Sequence, residues 1–262
     1  MSPSSSSSAA AAPVTAAVIL IGNEILSGRT QDANLGYLAE HLNAVGVRVM
    51  EARVVADIEA EIVAAVNACR ARYDYVFTTG GIGPTHDDIS SAAVAKAFGV
   101  PLSLNAEAVG RLERHYPAGK LNEARLRMAM VPEGASLIAN PISAAPGFRL
   151  ENVFVLAGVP VIMRAMFDGL AHRLNGGAPM LSRTFRTNLP EGTMAADLGA
   201  LQDAYADVEI GSYPSFGRPG EQGVRIVLRG TDAARLAAAG EGFVALAEKL
   251  GGTAVEIDIA GK

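Results

Sequence analysis

The chemistry in this chain concentrates in one run, Thr78-Thr79-Gly80-Gly81-Ile82-Gly83-Pro84-Thr85-His86-Asp87-Asp88-Ile89-Ser90. Three glycines and two adjacent carboxylates stand between the apolar stretch Tyr75-Val76-Phe77 and a helical pattern from Ile89 to Phe98. Glycines at a strand-to-helix turn let backbone N–H groups approach an anion, and the following helix adds a favourable dipole. Phosphate is the natural guest. Two carboxylates would repel it by about 1 kcal/mol at ~4 Å in water, and by about 4 at an effective dielectric near 20, unless a cation lies between. The loop therefore reads as a phosphate-and-metal site. The plain alternative is a tight turn in which Asp87 or Asp88 caps the next helix.

Three further segments hold candidate residues. Gly22-Asn23-Glu24 follows the apolar run Val18-Ile19-Leu20-Ile21. Asp57 precedes a helical pattern, where capping is its simplest role. The turn-rich stretch Asn140 to Gly147, with Ala157-Gly158-Val159-Pro160, closes the set; its glycines and prolines also suit plain loops. His86 reads as a solvated turn residue. His41, His115 and His172 lie on helical patterns with no second histidine at ligand spacing, and no Ser-His-Asp or Cys-His arrangement emerges.

The elements that must position these residues alternate in type. Strands are predicted at 18–21, 47–55 and 75–78, and helices over 35–45, from Asp57 through Cys69, and over 89–98. Residues 105–130 read as helical, 136–138 and 152–156 as strands, and 161–174 as a helix. This is the βαβ spacing of an α/β, three-layer, mostly parallel sheet, whose ligand edge lies at the carboxyl ends of the strands. All four candidate segments fall there. After Asn175-Gly176-Gly177-Ala178-Pro179 the pattern becomes β-α-β-β-α, predicting a small α+β domain. The expected divisions are a disordered Ser/Ala tail at 1–13, the α/β domain at 14–177 and the small domain at 181–260.

Composition narrows the partners. The chain has 262 residues, half of them apolar, enough to bury a sizeable core. With a net charge of −5 and 22 scattered basic residues, nucleic acid is not an expected partner. A single cysteine, Cys69, rules out a disulfide framework or Cys-based zinc site and fits a reducing cytoplasm. No charged n-region precedes the early apolar run, so neither export nor membrane insertion is expected.

Taken in order, GxExLxG, an aspartate before a helix, GGxGPTxDD, an Asn-containing turn ending in APGF, and GVP span roughly residues 18–170. This series resembles the molybdopterin-binding superfamily, and most closely the N-terminal domain of the competence- and damage-inducible protein A (CinA) family. The resemblance implies nucleotide-transfer roles for Asp57 and Asp88; on chemical grounds Asp87 and Asp88, alone or with Asp57 or Glu24, are the expected ligands of a divalent cation. It implies ligand contacts from Gly22, Glu24, Thr79, Gly80, Gly81, Gly83, Pro84, Thr85, Ser90, Asn140, Pro146, Gly147, Gly158 and Pro160. It further implies a metal-dependent nucleotide pyrophosphatase using magnesium, manganese or cobalt on ADP-ribose-like or flavin dinucleotides. Molybdopterin binding or adenylylation, and a non-catalytic nucleotide-binding module, remain open. The expected partner is a small nucleotide or pterin, and the expected assembly a homo-oligomer, a dimer above all. Two departures stand out: Ile162 occupies a position where relatives often carry glutamate, and Ser143-Ala144 replaces a Gly-Thr pair. The amidohydrolase domain of full-length CinA proteins does not occur before Lys262, so deamidation is not expected.

Overall fold

The computed structural model describes residues 13–215 and 223–258. The disordered tail expected at 1–13 therefore lies, Pro13 apart, outside the described residues. The chain divides into two compact units between Gly177 and Ala178.

The first unit runs β1 (Val14–Ile21), α1 (Asn23–Leu26), α2 (Asn34–Ala44), β2 (Val47–Val55), α3 (Glu59–Arg70), β3 (Tyr75–Thr79) and α4 (Ser90–Phe98). It continues through β4 (Leu102–Leu104), α5 (Ala106–His115), α6 (Glu123–Leu126), β5 (Met130–Pro132), β6 (Ser136–Ile138), β7 (Gly147–Leu150), β8 (Val153–Leu156) and α7 (Pro160–Ala171). The main sheet has the order β2-β1-β3-β8-β7-β6, parallel from β2 to β8 and antiparallel beyond it.

Why β1 lacks the alternation of a surface strand follows from its place in the sheet. Ala17, Ile19 and Ile21 pack with Ile62 and Val66 of α3 and Val94 of α4. Ala16, Val18 and Leu20 pack on the opposite face with Leu38 and Leu42 of α2 and Met163 and Phe167 of α7. A central parallel strand is buried on both faces, so every position from Ala16 to Ile21 is apolar. These are the three layers expected, α3/α4, sheet and α2/α7.

The first unit adds elements the sequence did not predict, among them α1, β4 and β5. The turn expected to end at Gly147 gives way there to a strand, Gly147–Leu150, which the sequence did not predict, because antiparallel pairing to β8 captures the residues after Pro146. The stretch 105–130 is broken into α5 and α6, each capped by its own asparagine: Asn105 accepts from the Ala108 amide and Asn122 from the Arg125 amide.

The second unit runs β9 (Leu181–Thr187), α8 (Glu191–Ala204), β10 (Glu209–Ser215), β11 (Gly223–Gly230), α9 (Ala233–Lys249) and β12 (Ala254–Ile257). Its antiparallel sheet has the order β10-β11-β9-β12, covered by Leu236, Ala239 and Phe243 of α9. The closing strand β12 is an addition to the expected β-α-β-β-α order. It is four residues long with little alternation, too short for periodicity to reveal. No helix among the described residues is long and apolar enough to cross a membrane.

Candidate functional site

The loops that follow β2, β1, β3 and β8 lie side by side because those strands are neighbours in that order. Their junction is Gly80. Its φ of +107° is open to glycine, and a β-carbon there would lie 2.2 Å from the Ile21 carbonyl oxygen. Gly158 packs on the same spot, since its own β-carbon would stand 3.1 Å from the Gly80 Cα. Ser90 locks the loop from beneath: its hydroxyl donates to the Gly80 carbonyl at 2.8 Å and its amide to the Gly81 carbonyl at 3.0 Å. Gly81, at φ +69°, has no room for a side chain against the Ser90 hydroxyl. Gly80, Gly81 and Ser90 thus give the loop its shape.

The carboxylates divide their work. Asp88 Oδ2 accepts from the Thr85 amide at 2.8 Å and from the Thr85 hydroxyl at 2.5 Å, while the Asp88 amide donates back to the Thr85 carbonyl at 3.3 Å. That closes a turn over Gly83. Neither aspartate caps α4, whose preceding residue Ile89 offers no side-chain cap. Asp87 points to solvent beside His86, which is 95% exposed, with His86 Nδ1 3.9 Å from Asp87 Oδ1. Asp87 is held below the ordinary carboxylate pKa, first by the Thr85 hydroxyl. That hydroxyl has one proton and directs it at Asp88, so its effect on Asp87 is that of a nearby dipole.

Asp57 does not cap α3 either. Its Oδ2 accepts from the Asn23 amide at 2.8 Å, which fixes the first turn of α1 on the neighbouring strand's loop. The Glu24 carboxylate folds over Gly22, where a β-carbon would meet Oε1 at 2.5 Å. No three His, Cys, Asp or Glu side chains among the described residues converge as a metal-holding group. As ligand types, the carboxylates of Asp87 and Asp88 suit magnesium-like ions, which take one or two protein carboxylates and complete their shell with phosphates and water.

A cavity of about 270 Å³ opens along this edge. Ile82, Gly83 and Pro84 form one wall, Ala157, Gly158, Val159 and Ile162 another, and Asn140, Ser143 and Ala145 a third. Tyr116 and Met128, from the segment between α4 and β5, complete it. The Arg125 guanidinium sits 4.4 Å from the Tyr116 ring centroid, stiffening that aromatic wall. Asn140 uses its whole amide internally: Nδ2 donates to the Ser143 hydroxyl and the Ala145 carbonyl, and Oδ1 accepts from the Ile142 and Ser143 amides. It shapes the wall. Pro146 and Gly147 are buried outside the cavity; a β-carbon on Gly147 would lie 2.2 Å from the Val155 carbonyl oxygen.

A smaller cleft of about 50 Å³ is lined by Glu24, Asp32, Asn34, Thr79, Gly158 and Pro160. Asp32 caps α2 by accepting from the Asn34 and Leu35 amides. Asn34, Tyr116 and Met128 were not singled out from sequence. Asn34 had a usable signal in the Asp-x-Asn spacing at a helix start; Tyr116 and Met128 had none, since only tertiary packing brings them to the sheet edge. Cys69 is buried on α3, and burial pushes its thiol pKa up, which removes it as a nucleophile.

Comparison with known proteins gives these features a context. Residues 17–176 match the family described as probable molybdopterin binding domain, and residues 179–256 match the FAD synthase middle domain. A protein of Pyrobaculum calidifontis is 40% identical over 166 residues, covering 61% of this chain and 63% of that protein. A CinA-like protein of Geotalea uraniireducens is 34% identical over 211 residues, covering 76% of this chain and 50% of that protein. The chain thus spans half to two thirds of the length of these two relatives. The crystal structure of CinA from Thermoplasma acidophilum, a protein of unknown function, superposes with a TM-score of 0.59 at 33% identity, covering 62% of this chain and 98% of that one.

Proposed function

Since the chain belongs to the probable molybdopterin binding domain family, with CinA-like proteins among its relatives, we propose that its first unit is a metal-dependent nucleotide pyrophosphatase. Its substrates would be ADP-ribose-like or flavin dinucleotides. The observation that carries this reading is the continuity of one loop: Ile82 to Pro84 line the cavity, and the chain passes directly into the turn that holds Asp87 and Asp88. A base or flavin ring fits the apolar walls given by Tyr116, Met128 and Ile162, leaving the diphosphate toward the carboxylate turn.

Asp87 and Asp88 would hold a divalent ion, magnesium, manganese or cobalt, which when bound neutralises the diphosphate and acidifies a water molecule. The amides of Gly81, Ile82 and Gly83 would face the phosphoryl oxygens. Pro84 has no N–H, and the Thr85 amide is already given to Asp88. Asp57 spends one oxygen on Asn23 and keeps the other to accept a proton from attacking water. The water oxygen would bond to one phosphorus as the bridging P–O bond breaks, releasing AMP and a second phosphate monoester.

A panel of diphosphate-linked nucleotides with each metal, followed by chromatography, tests this; AMP formation from ADP-ribose is expected, and no product from any pair refutes it. Ile162 on the cavity wall supports a second reading, ligand binding without turnover, because a carboxylate frequent in relatives is absent there. The family description supports a pterin as that ligand, and adenylylation would then require molybdopterin and ATP together. We further propose a homodimer, supported by apolar side chains exposed on and beside β2: Met50, Val54, Leu26 and Ile58. A monomeric mass by light scattering would refute it.

A further inference from the structure

A second recess, of about 300 Å³, shares Asn140 with the ligand cavity. Arg111 and Arg114, three residues apart on α5, form one wall, and Ala139, Pro141 and Ala144 the other. The turn behind it is stiff. Asn140 spends its side chain on four hydrogen bonds within the turn, and Ala144 is held at φ +62°, a conformation few residues other than glycine adopt. Non-glycine strain of this kind persists where surrounding structure over-determines it, and such positions cluster at ligand sites.

Charge gives the recess its chemistry. Arg111 pairs with Glu107 one turn earlier at 2.7 Å, so its charge is partly met. Arg114 has no ion pair or hydrogen bond among the described residues and is exposed. In a chain of net charge −5, a guanidinium left uncompensated beside a second one in a concave wall favours an anion. The planar fork of arginine matches the paired oxygens of a phosphate.

We infer that Arg111, Arg114 and the Asn140–Ala144 turn form a phosphate subsite, taking the outlying phosphate of a ligand whose ring lies in the neighbouring cavity. This rests on the dinucleotide reading above and adds a specificity element to it. Nucleosides and ligands with one ring-proximal phosphate would not reach it. A ligand carrying a further, terminal phosphate beyond the diphosphate held at the carboxylate turn would.

Isothermal titration in metal-free buffer separates the subsite from turnover. Inorganic pyrophosphate, ADP-ribose and adenosine are titrated into the wild-type chain, Arg114→Ala, Arg114→Lys and Arg111→Ala, with circular dichroism confirming each fold. We expect Arg114→Ala to weaken pyrophosphate at least tenfold, Arg114→Lys to recover part of that loss, and adenosine and ADP-ribose, whose two phosphates lie at the carboxylate turn, to bind all four proteins alike. Pyrophosphate affinity equal in the wild type and Arg114→Ala overturns the inference, as does no pyrophosphate binding at all. An equal loss for adenosine also overturns it, because the arginine would then only support the wall. If pyrophosphate binding depends on Arg114 while no diphosphate is hydrolysed with any metal, the subsite stands and the pyrophosphatase reading falls.

Discussion

The Asn34 side chain donates to the carbonyl oxygen of Gly158 at 2.8 Å, tying the start of α2 to the loop after β8 across 124 residues of sequence. Asn34 is 4% exposed, and its Nδ2 also lies 3.4 Å from the Thr79 hydroxyl. The Gly158 loop is a wall of both the cavity and the cleft, so one amide sets the spacing between them.

Asn34→Ala should therefore destabilise the chain by about 1–3 kcal/mol, the usual cost of leaving a buried acceptor unpaired. Asn34→Asp should cost more at neutral pH, because it turns a carboxylate toward the Gly158 carbonyl. Urea unfolding would order the three proteins; Asp as stable as Ala would remove the Gly158 contact from the account.

At the loop junction, Gly80→Ala should be worse than Ser90→Ala. The serine change loses a buried hydrogen bond, about 1–3 kcal/mol with the Gly80 carbonyl left unpaired. The alanine at Gly80 needs both an unfavourable φ and a backbone shift away from Ile21. Thermal melts that reverse this order would contradict the packing described.

Asp88→Asn keeps an oxygen for Thr85 while removing charge, and Asp88→Ala removes both. In metal-free protein the asparagine variant should match or exceed the wild type, whereas alanine should lose about 0.5–2 kcal/mol, as for a lost cap. Only the wild type should gain stability on adding magnesium or manganese. Diphosphate hydrolysis retained at the wild-type rate in Asp88→Asn would take Asp88 out of the mechanism.

Alkaline pH offers a test distant from the site. The Tyr37 hydroxyl donates to Asp168 Oδ1 at 2.5 Å, and burial, then that bond, pushes its pKa up to about 12 from 10. A pKa raised by folding means the protonated form is favoured in the native state. The stabilisation is complete below about pH 10 and is lost as pH rises from there through about 12. Absorbance titration of tyrosinate should show a late phenol that is lost in Tyr37→Phe, distinct from Tyr73, which its hydrogen bond to Glu51 also pushes up, and the variant's stability should fall less steeply over that interval. An unchanged late titration in Tyr37→Phe would assign it elsewhere.

Much of the first unit was legible because its signals are local. The continuous apolar run ending at Ile21 could serve only a strand covered on both faces, and the spacing of Leu35, Leu38 and Leu42 only a helix laid upon it. The glycine-rich loop with its aspartates was legible too, since φ values such as those at Gly80 and Gly81 restrict the residue type. Strands β7 and β12 were not, because four residues carry too little periodicity and their pairing partners define them.

Side-chain roles at the site divide the same way. Sequence alone determined which residue types crowd the carboxyl edge of the sheet: Glu24, Asp57, Asp87, Asp88 and the glycines around them. Only the tertiary structure decided what each one does. Local reading made Asp57 a cap for its own helix, yet strand order places it against Asn23, and Asp88 closes a turn on Thr85 rather than capping α4. Tyr116 and Met128 join the cavity, and Arg114 the neighbouring recess, from a segment whose sequence shows only a helical, charged pattern. A hydrogen bond or a cavity wall depends on distances between loops set by strand order, and those distances follow from packing that no single stretch of chain contains.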